Sequence, residues 1–206
     1  MCLADLRNKL GVNPLFVIPC CAGNVAGGTR GAASPALTPQ SDRARQEIAA
    51  LHPDAFQGTE VKEARARYRG QLYIQPGVEQ VLQDRQDDVL ILSSAYGLLH
   101  PYDLIRQYDL PIATAGVYAT WRDIVPGELA TLSAQRSAIV GLFGHETRYA
   151  EIFRHPAQYA CPRYLVSLAP APGAQANVPV GSGLALAYLA GFGDLPRDRQ
   201  YQIEVL

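Results

Sequence analysis

The chain alternates between short runs of consecutive apolar residues and longer stretches whose apolar positions recur every three or four residues. Four runs stand out: Leu15-Phe16-Val17-Ile18, Val89-Leu90-Ile91-Leu92, Ala138-Ile139-Val140-Gly141-Leu142 and Tyr164-Leu165-Val166-Ser167-Leu168. Their shortness, and the absence of polar alternation, predict strands buried on both faces. The tail from Tyr201 to Leu206 predicts an added edge strand. Helical spacing predicts helices from Ser41 to the stop at Pro53, over 59–69 up to Gly70, and from Pro76 to about Gln86. Further helices are predicted over 118–135 with a break at Pro126, from Glu146 to about Arg154, and from Gly183 to Ala190. Residues 22–40, dense in Gly, Ala, Ser and Pro, predict a loop and the most mobile part of the chain.

Buried strands separated by helices predict an α/β fold: a mostly parallel central sheet with helices on both faces, in one domain covering 1–206. In such sheets ligands bind beyond the carboxyl ends of the strands. Polar or glycine-rich segments follow three of the four strands there, at Cys20 to Asn24, Ser93 to Asp109 and Gly144 to Tyr149. One pocket built from these segments is therefore expected.

Composition narrows the classes. Apolar residues make up 48% and charged residues 18%, which suits a packed core and not a disordered chain. The formal net charge of −1, from 18 basic and 19 acidic side chains, lacks the basic excess of a dedicated duplex binder, so a nucleic-acid footprint has to be local. No apolar run approaches the roughly 18 residues that span a bilayer, so no membrane partner is expected. Met1-Cys2-Leu3-Ala4-Asp5 shows no basic segment ahead of an apolar run, as a secretory signal would. The four cysteines (Cys2, Cys20, Cys21 and Cys161) match neither a disulfide framework nor a zinc pattern. The expectation is a cytoplasmic protein with no metal and no cofactor.

The densest candidate chemistry runs from Ser93-Ser94-Ala95-Tyr96-Gly97 through His100-Pro101-Tyr102-Asp103 to Tyr108-Asp109. Tyrosine faces stack on planar rings while their hydroxyls hydrogen-bond, and a nearby carboxylate activates water or stabilises a developing cation. The plainer alternative is a tight turn with Gly97 at positive φ and half-buried tyrosines. Gly144-His145-Glu146-Thr147-Arg148-Tyr149 places a histidine and a carboxylate at a helix start, as an acid–base pair or as a dipole partner beside a solvated ring. Cys20 and Cys21 are either pocket-lining or reactive thiols, or small buried hydrophobes. Lys62, Arg65 and Arg69, with Arg67 beside them, share a helical stripe that grips phosphates or forms a solvated face. Gly181-Ser182-Gly183 before a helix is a weak phosphate signal.

Several of these segments together resemble the YaaA peroxide-stress family. They are Tyr68-Arg69-Gly70-Gln71-Leu72-Tyr73, then Leu92-Ser93-Ser94-Ala95-Tyr96-Gly97-Leu98-Leu99-His100-Pro101-Tyr102-Asp103-Leu104-Ile105 with Tyr108, then Trp121-Arg122-Asp123-Ile124. The apolar strand and acidic-aromatic loop from Val140 to Tyr149 look like that family's next element, and the resemblance covers roughly residues 15–155. It implies an α/β fold with a cleft, DNA binding and protection against oxidative damage, and more distantly a likeness to the uracil-DNA-glycosylase sheet. The expected ligand is DNA or a nucleotide or nucleobase. The expected activity is that of a nucleobase- or DNA-directed enzyme handling an N-glycosidic bond, with Asp103, His145 and Glu146 catalytic. Cys20, Cys21, Asn24, Ser93, Ser94, Tyr96, Gly97, Tyr102, Tyr108 and Tyr149 would line the site, with Lys62, Arg65, Arg67 and Arg69 on nucleic acid. A non-catalytic DNA-binding stress protein and a small-molecule enzyme with an unrelated substrate remain as alternatives.

Overall fold

The computed structural model describes residues 1–21, 24–169 and 178–206. In chain order the elements are α1 (Leu3–Lys9), β1 (Pro14–Pro19), β2 (Thr29–Arg30), α2 (Pro39–Leu51), β3 (Phe56–Glu63) and α3 (Ala64–Arg67). They continue with α4 (Val78–Asp84), β4 (Val89–Ser93), β5 (Gly97–Leu99), β6 (Leu104–Tyr108), α5 (Val117–Ser133) and β7 (Ala138–Leu142). The last are α6 (Arg148–Arg154), β8 (Arg163–Leu168), α7 (Val178–Ala190) and β9 (Tyr201–Val205).

The main sheet has the order β5-β4-β1-β7-β8-β9. Its four inner strands are parallel, with β5 and β9 antiparallel at the edges. The inner strands are the four apolar runs, buried along nearly their whole length, because helices cover both faces. α2, α5 and α6 pack together in one layer; α1, α4 and α7 pack together in the other. The expected α/β class, mostly parallel core and added edge strand at the tail are all present, and β9 proves antiparallel to β8.

Four regions differ from the sequence reading. Residues 59–69 are not a helix: β3 pairs with β6 in a second, antiparallel sheet of order β2-β3-β6, and only the four residues of α3 are helical. β6 supplies the ladder that holds this segment extended, with Gly58 at φ +66° inside the irregularity between Gln57 and Val61. Ser93 to Asp109 is likewise not one loop, because β5 and β6 lie within it. α5 runs through Pro126 without a break: its buried face of Trp121, Ile124, Val125 and Leu129 holds the helix against the lost N–H bond and the ring's clash. Gly181-Ser182-Gly183 is buried inside α7 and so presents no free amides to a phosphate.

The glycine-rich segment after β1 contains Ala22 and Gly23, which lie outside the described residues. From Val25 on it is tied down. The buried Arg67 guanidinium donates to the carbonyls of Val25 and Gly27 on this segment, and to Glu60 and Ile105 on the small sheet. Lys62 donates to Ala26 O, Arg45 to Ser34 O, and Ser34 exchanges two bonds with Leu104.

Candidate functional site

The register brings the three expected segments to one level. Pro19 pairs with Leu92, and Val17 with Gly141, so Cys20 emerges opposite Ser93 on one side and near Gly144 on the other. The chain steps from β1 to β4 in one direction and then back past β1 to β7, which makes the carboxyl end of β1 the switch point of the sheet.

At that point the Cys20 sulfur lies 3.1 Å from the Tyr149 hydroxyl and 4.0 Å from Ser94 Oγ. The residues that follow β1 and β4 and the first turn of α6 after β7 thus contribute one side chain each to a single cluster. Behind it, the Tyr108 hydroxyl is 2.7 Å from the Tyr68 hydroxyl and 2.9 Å from Ser93 Oγ, and Ser93 Oγ accepts the Tyr96 N–H at 3.1 Å. Tyr73 donates its hydroxyl to Pro19 O at 2.8 Å. Burial pushes the phenols of Tyr68, Tyr73, Tyr108 and Tyr149 well above the ordinary tyrosine range, and the neighbouring Cys20 thiol adds to the shift of all four. These phenols therefore remain protonated, each able to donate one hydrogen bond and accept others.

Two glycines shape the walls. Gly97 has φ +66°, and a Cβ there would stand 2.5 Å from the Trp121 ring, whose indole N–H donates to Ser94 O at 2.7 Å. The Trp-x-Asp-Ile helix and the Tyr-Gly-Leu-Leu turn are thus one packed unit that fixes Ser94. A Cβ on Gly70 would lie 2.6 Å from Cys21 Cβ, and the Gly70 N–H donates to Cys21 Sγ at 3.1 Å. Cys21 is held by this step while Cys20 faces the hydroxyls. Asn24 pairs with Tyr68 across a β-bridge and donates to Tyr108 O at 3.0 Å, while its side-chain oxygen is buried without a partner.

Of the expected lining residues, Cys20, Cys21, Asn24, Ser93, Ser94, Tyr108 and Tyr149 gather here. Tyr96 is adjacent, its ring 5.7 Å from that of Tyr108, but it also borders a separate cavity of about 370 Å³ with Phe56, Arg45 and Arg106. The Tyr68 and Tyr73 hydroxyls are site groups that the sequence reading did not assign. Their signal was the Tyr-x-Gly step, whose glycine makes room for Cys21.

The expected catalytic groups do not converge. Asp103 closes the turn before β6, with its carboxylate accepting the His100 N–H at 2.8 Å. Tyr108 ends the same strand five residues later, roughly 16 Å away at the rise of an extended chain. Tyr102 shares that turn, under the Arg65 guanidinium at 4.3 Å. His145 Nδ1 is 2.9 Å from Arg154, which also bonds Glu204, and a guanidinium only donates, so Nδ1 is the acceptor. Glu146 is exposed on the turn before α6, whose N-cap is Thr147 and not Glu146.

The basic stripe dissolves as well. Lys62 is on β3, Arg65 pairs with Glu63 at 2.9 Å, Arg69 is exposed, and Arg67 is fully buried on four carbonyls. Arg67 is a structural clamp unavailable to phosphate.

No family model matches the chain. It is 32% identical over 104 residues to a UPF0246 protein of Shewanella pealeana, covering 44% of this chain and 40% of that relative. To a UPF0246 protein of Shewanella denitrificans it is 33% identical over 100 residues, covering 42% and 39%. UPF0246 denotes the YaaA family, so these similarities agree with the resemblance read from the motifs. The chain spans about two fifths of the length of the curated relatives it matches, and over that part it is similar to UPF0246 proteins.

Proposed function

We propose that the carboxyl end of the parallel sheet binds and acts on the base of a nucleotide, nucleoside or damaged nucleic acid, with Cys20, Ser94 and Tyr149 at its centre. One observation carries the reading: a thiol and two hydroxyls, from the segments that follow three adjacent parallel strands, meet at the switch point. A heterocyclic base presents neutral donors and acceptors around its edge. Hydroxyls satisfy either kind, whereas a phosphate calls for cations or amide nests. The nucleobase class itself is what the YaaA resemblance implies.

If an N-glycosidic bond is cut, Glu146 is the carboxylate available for it. It lies on the turn after β7, three residues before Tyr149 in the first turn of α6, whereas Asp103 is committed to its turn. Thermal shift and calorimetry against free bases, nucleosides, nucleotides and short oligonucleotides test the reading, with ribose and inorganic phosphate as controls. Base-bearing ligands should raise Tm and the controls should not. Tyr149→Phe or Ser94→Ala should weaken binding about three- to tenfold, the worth of one hydrogen bond. Indifference to every base-bearing ligand in a folded protein would sink the reading. Unchanged turnover in Glu146→Gln would remove the glycosidic step alone.

A further inference from the structure

We propose that Cys20 is the nucleophile of this site, adding through Sγ to an electrophilic ring carbon of an uncharged heterocycle conjugated to a carbonyl, with Tyr149 relaying its proton. The class of ring rests on the nucleobase reading above; the reactivity of the thiol does not.

The argument starts from position. Cys20 follows the central strand at the switch point, the place where an α/β sheet delivers reactive groups to a ligand. It is half-buried, so it is shielded from bulk water but within reach of a small molecule. Its sulfur faces a phenol at 3.1 Å and a serine hydroxyl at 4.0 Å that come from different elements, β7–α6 and the end of β4. Either atom of the Cys20–Tyr149 contact can donate, so the phenol oxygen is placed to take the thiol proton as the sulfur attacks.

The other three thiols are differently placed. Cys21 accepts the Gly70 N–H and packs on that glycine. Cys161 precedes β8, at the amino ends of the parallel strands, and burial pushes its thiol up. Cys2 caps α1. Among the described contacts, Cys20 is the thiol whose sulfur lies within 4.0 Å of two hydroxyls at the carboxyl ends of the strands.

The step balances without a co-reactant. The S–H bond breaks and a C–S bond forms at the ring carbon. The π pair of the ring C=C moves toward the conjugated carbonyl, whose oxygen takes a proton. Tyr149 accepts the thiol proton as it passes its own to that oxygen, and ends neutral. Burial disfavours a free tyrosinate here, so the two transfers are linked and Tyr149 acts as a relay, not as a standing base. Ser94 is placed to hold the adduct's polar edge.

Limiting iodoacetamide with peptide mapping reads the thiol directly. Cys20 should be alkylated at least tenfold faster than Cys21 and Cys161 in the folded protein. Tyr149→Phe should slow Cys20 several-fold and alter its pH profile, with Cys2 labelling unchanged as an internal control. Incubation with a 5-fluoropyrimidine nucleoside, whose neighbouring ring carbon is activated, should give an intact-mass adduct of one ligand. That adduct should be absent from both Cys20→Ser and Cys20→Ala, with circular dichroism confirming their fold. Labelling of Cys20 no faster than Cys161, or unaffected by Tyr149→Phe, overturns the nucleophile while leaving base binding standing. Selective, Tyr149-dependent labelling without a nucleoside adduct supports the nucleophile and overturns the nucleobase as its substrate.

Discussion

Gly97 and Asp103 belong to one continuous motif, yet they do different work. At Gly97 the backbone is left-handed and the Trp121 ring covers the space a Cβ would take. Gly97→Ala combines a left-handed penalty of about 1–2 kcal/mol with overpacking of about 1–3 kcal/mol. Denaturant titration should therefore show a loss of about 2–5 kcal/mol. The same substitution should disturb ligand binding, because the displaced indole also holds Ser94 O. Asp103 resembles a catalytic carboxylate in sequence and behaves as a turn residue in the fold, bonded to His100 N while its own carbonyl accepts Ala64 N. Asp103→Ala should cost about 1–2 kcal/mol of stability through the lost side-chain bond and leave base binding within twofold. A stable Asp103→Ala protein that no longer binds would return this carboxylate to the site.

At the scale of elements, the legible parts were those whose pattern had one physical meaning. Four uninterrupted apolar runs have nowhere to go but the interior of a covered sheet, and all four became its parallel strands. β3 was illegible because Lys62 on it recurs at helical spacing with Arg65 and Arg69 beyond it, while the reason for its extension lies more than forty residues away in β6. The same distance hid Arg67. Nothing local distinguishes it from its exposed neighbours, and only the folded small sheet and the segment after β1 supply the carbonyls it clamps. Site membership was legible for the residues that directly follow β1, β4 and β7, and illegible for Tyr68 and Tyr73, which reach the cluster from a separate segment. Arg67→Ala should strand four carbonyls and cost on the order of 1–3 kcal/mol for each that water cannot reach. Hydrogen exchange should locate the opening first at residues 24–30. Uniform exchange across the whole chain would mean that the clamp has no local role.

Across the whole molecule, the hydroxyl cluster is also the seam between the two sheets. Tyr108 from the small sheet meets Ser93 of the main sheet, and Tyr68, Tyr73 and Tyr149 close the space around them. Every one of these phenols is driven upward by burial, as is Tyr96 beside them, and Tyr201 on β9 is pushed up to about 12. A tyrosine whose folded value exceeds its unfolded value binds its proton more tightly when folded. Its contribution to stability is complete below the unfolded value of about 10 and is lost as pH rises beyond it. Stability should thus be independent of these groups at neutral pH and fall steeply above about pH 10, with several protons released together. Tyrosinate absorbance and far-ultraviolet circular dichroism, followed on one alkaline titration, should show the buried phenols ionising in the same step that opens the fold. Replacing Tyr108 with Phe should lower the number of protons released in that step by about one, because one raised group has been removed. A buried set that titrates smoothly well before the dichroism changes would mean that alkali reaches the seam in the native state. The two sheets would then be joined by something other than this protonated cluster.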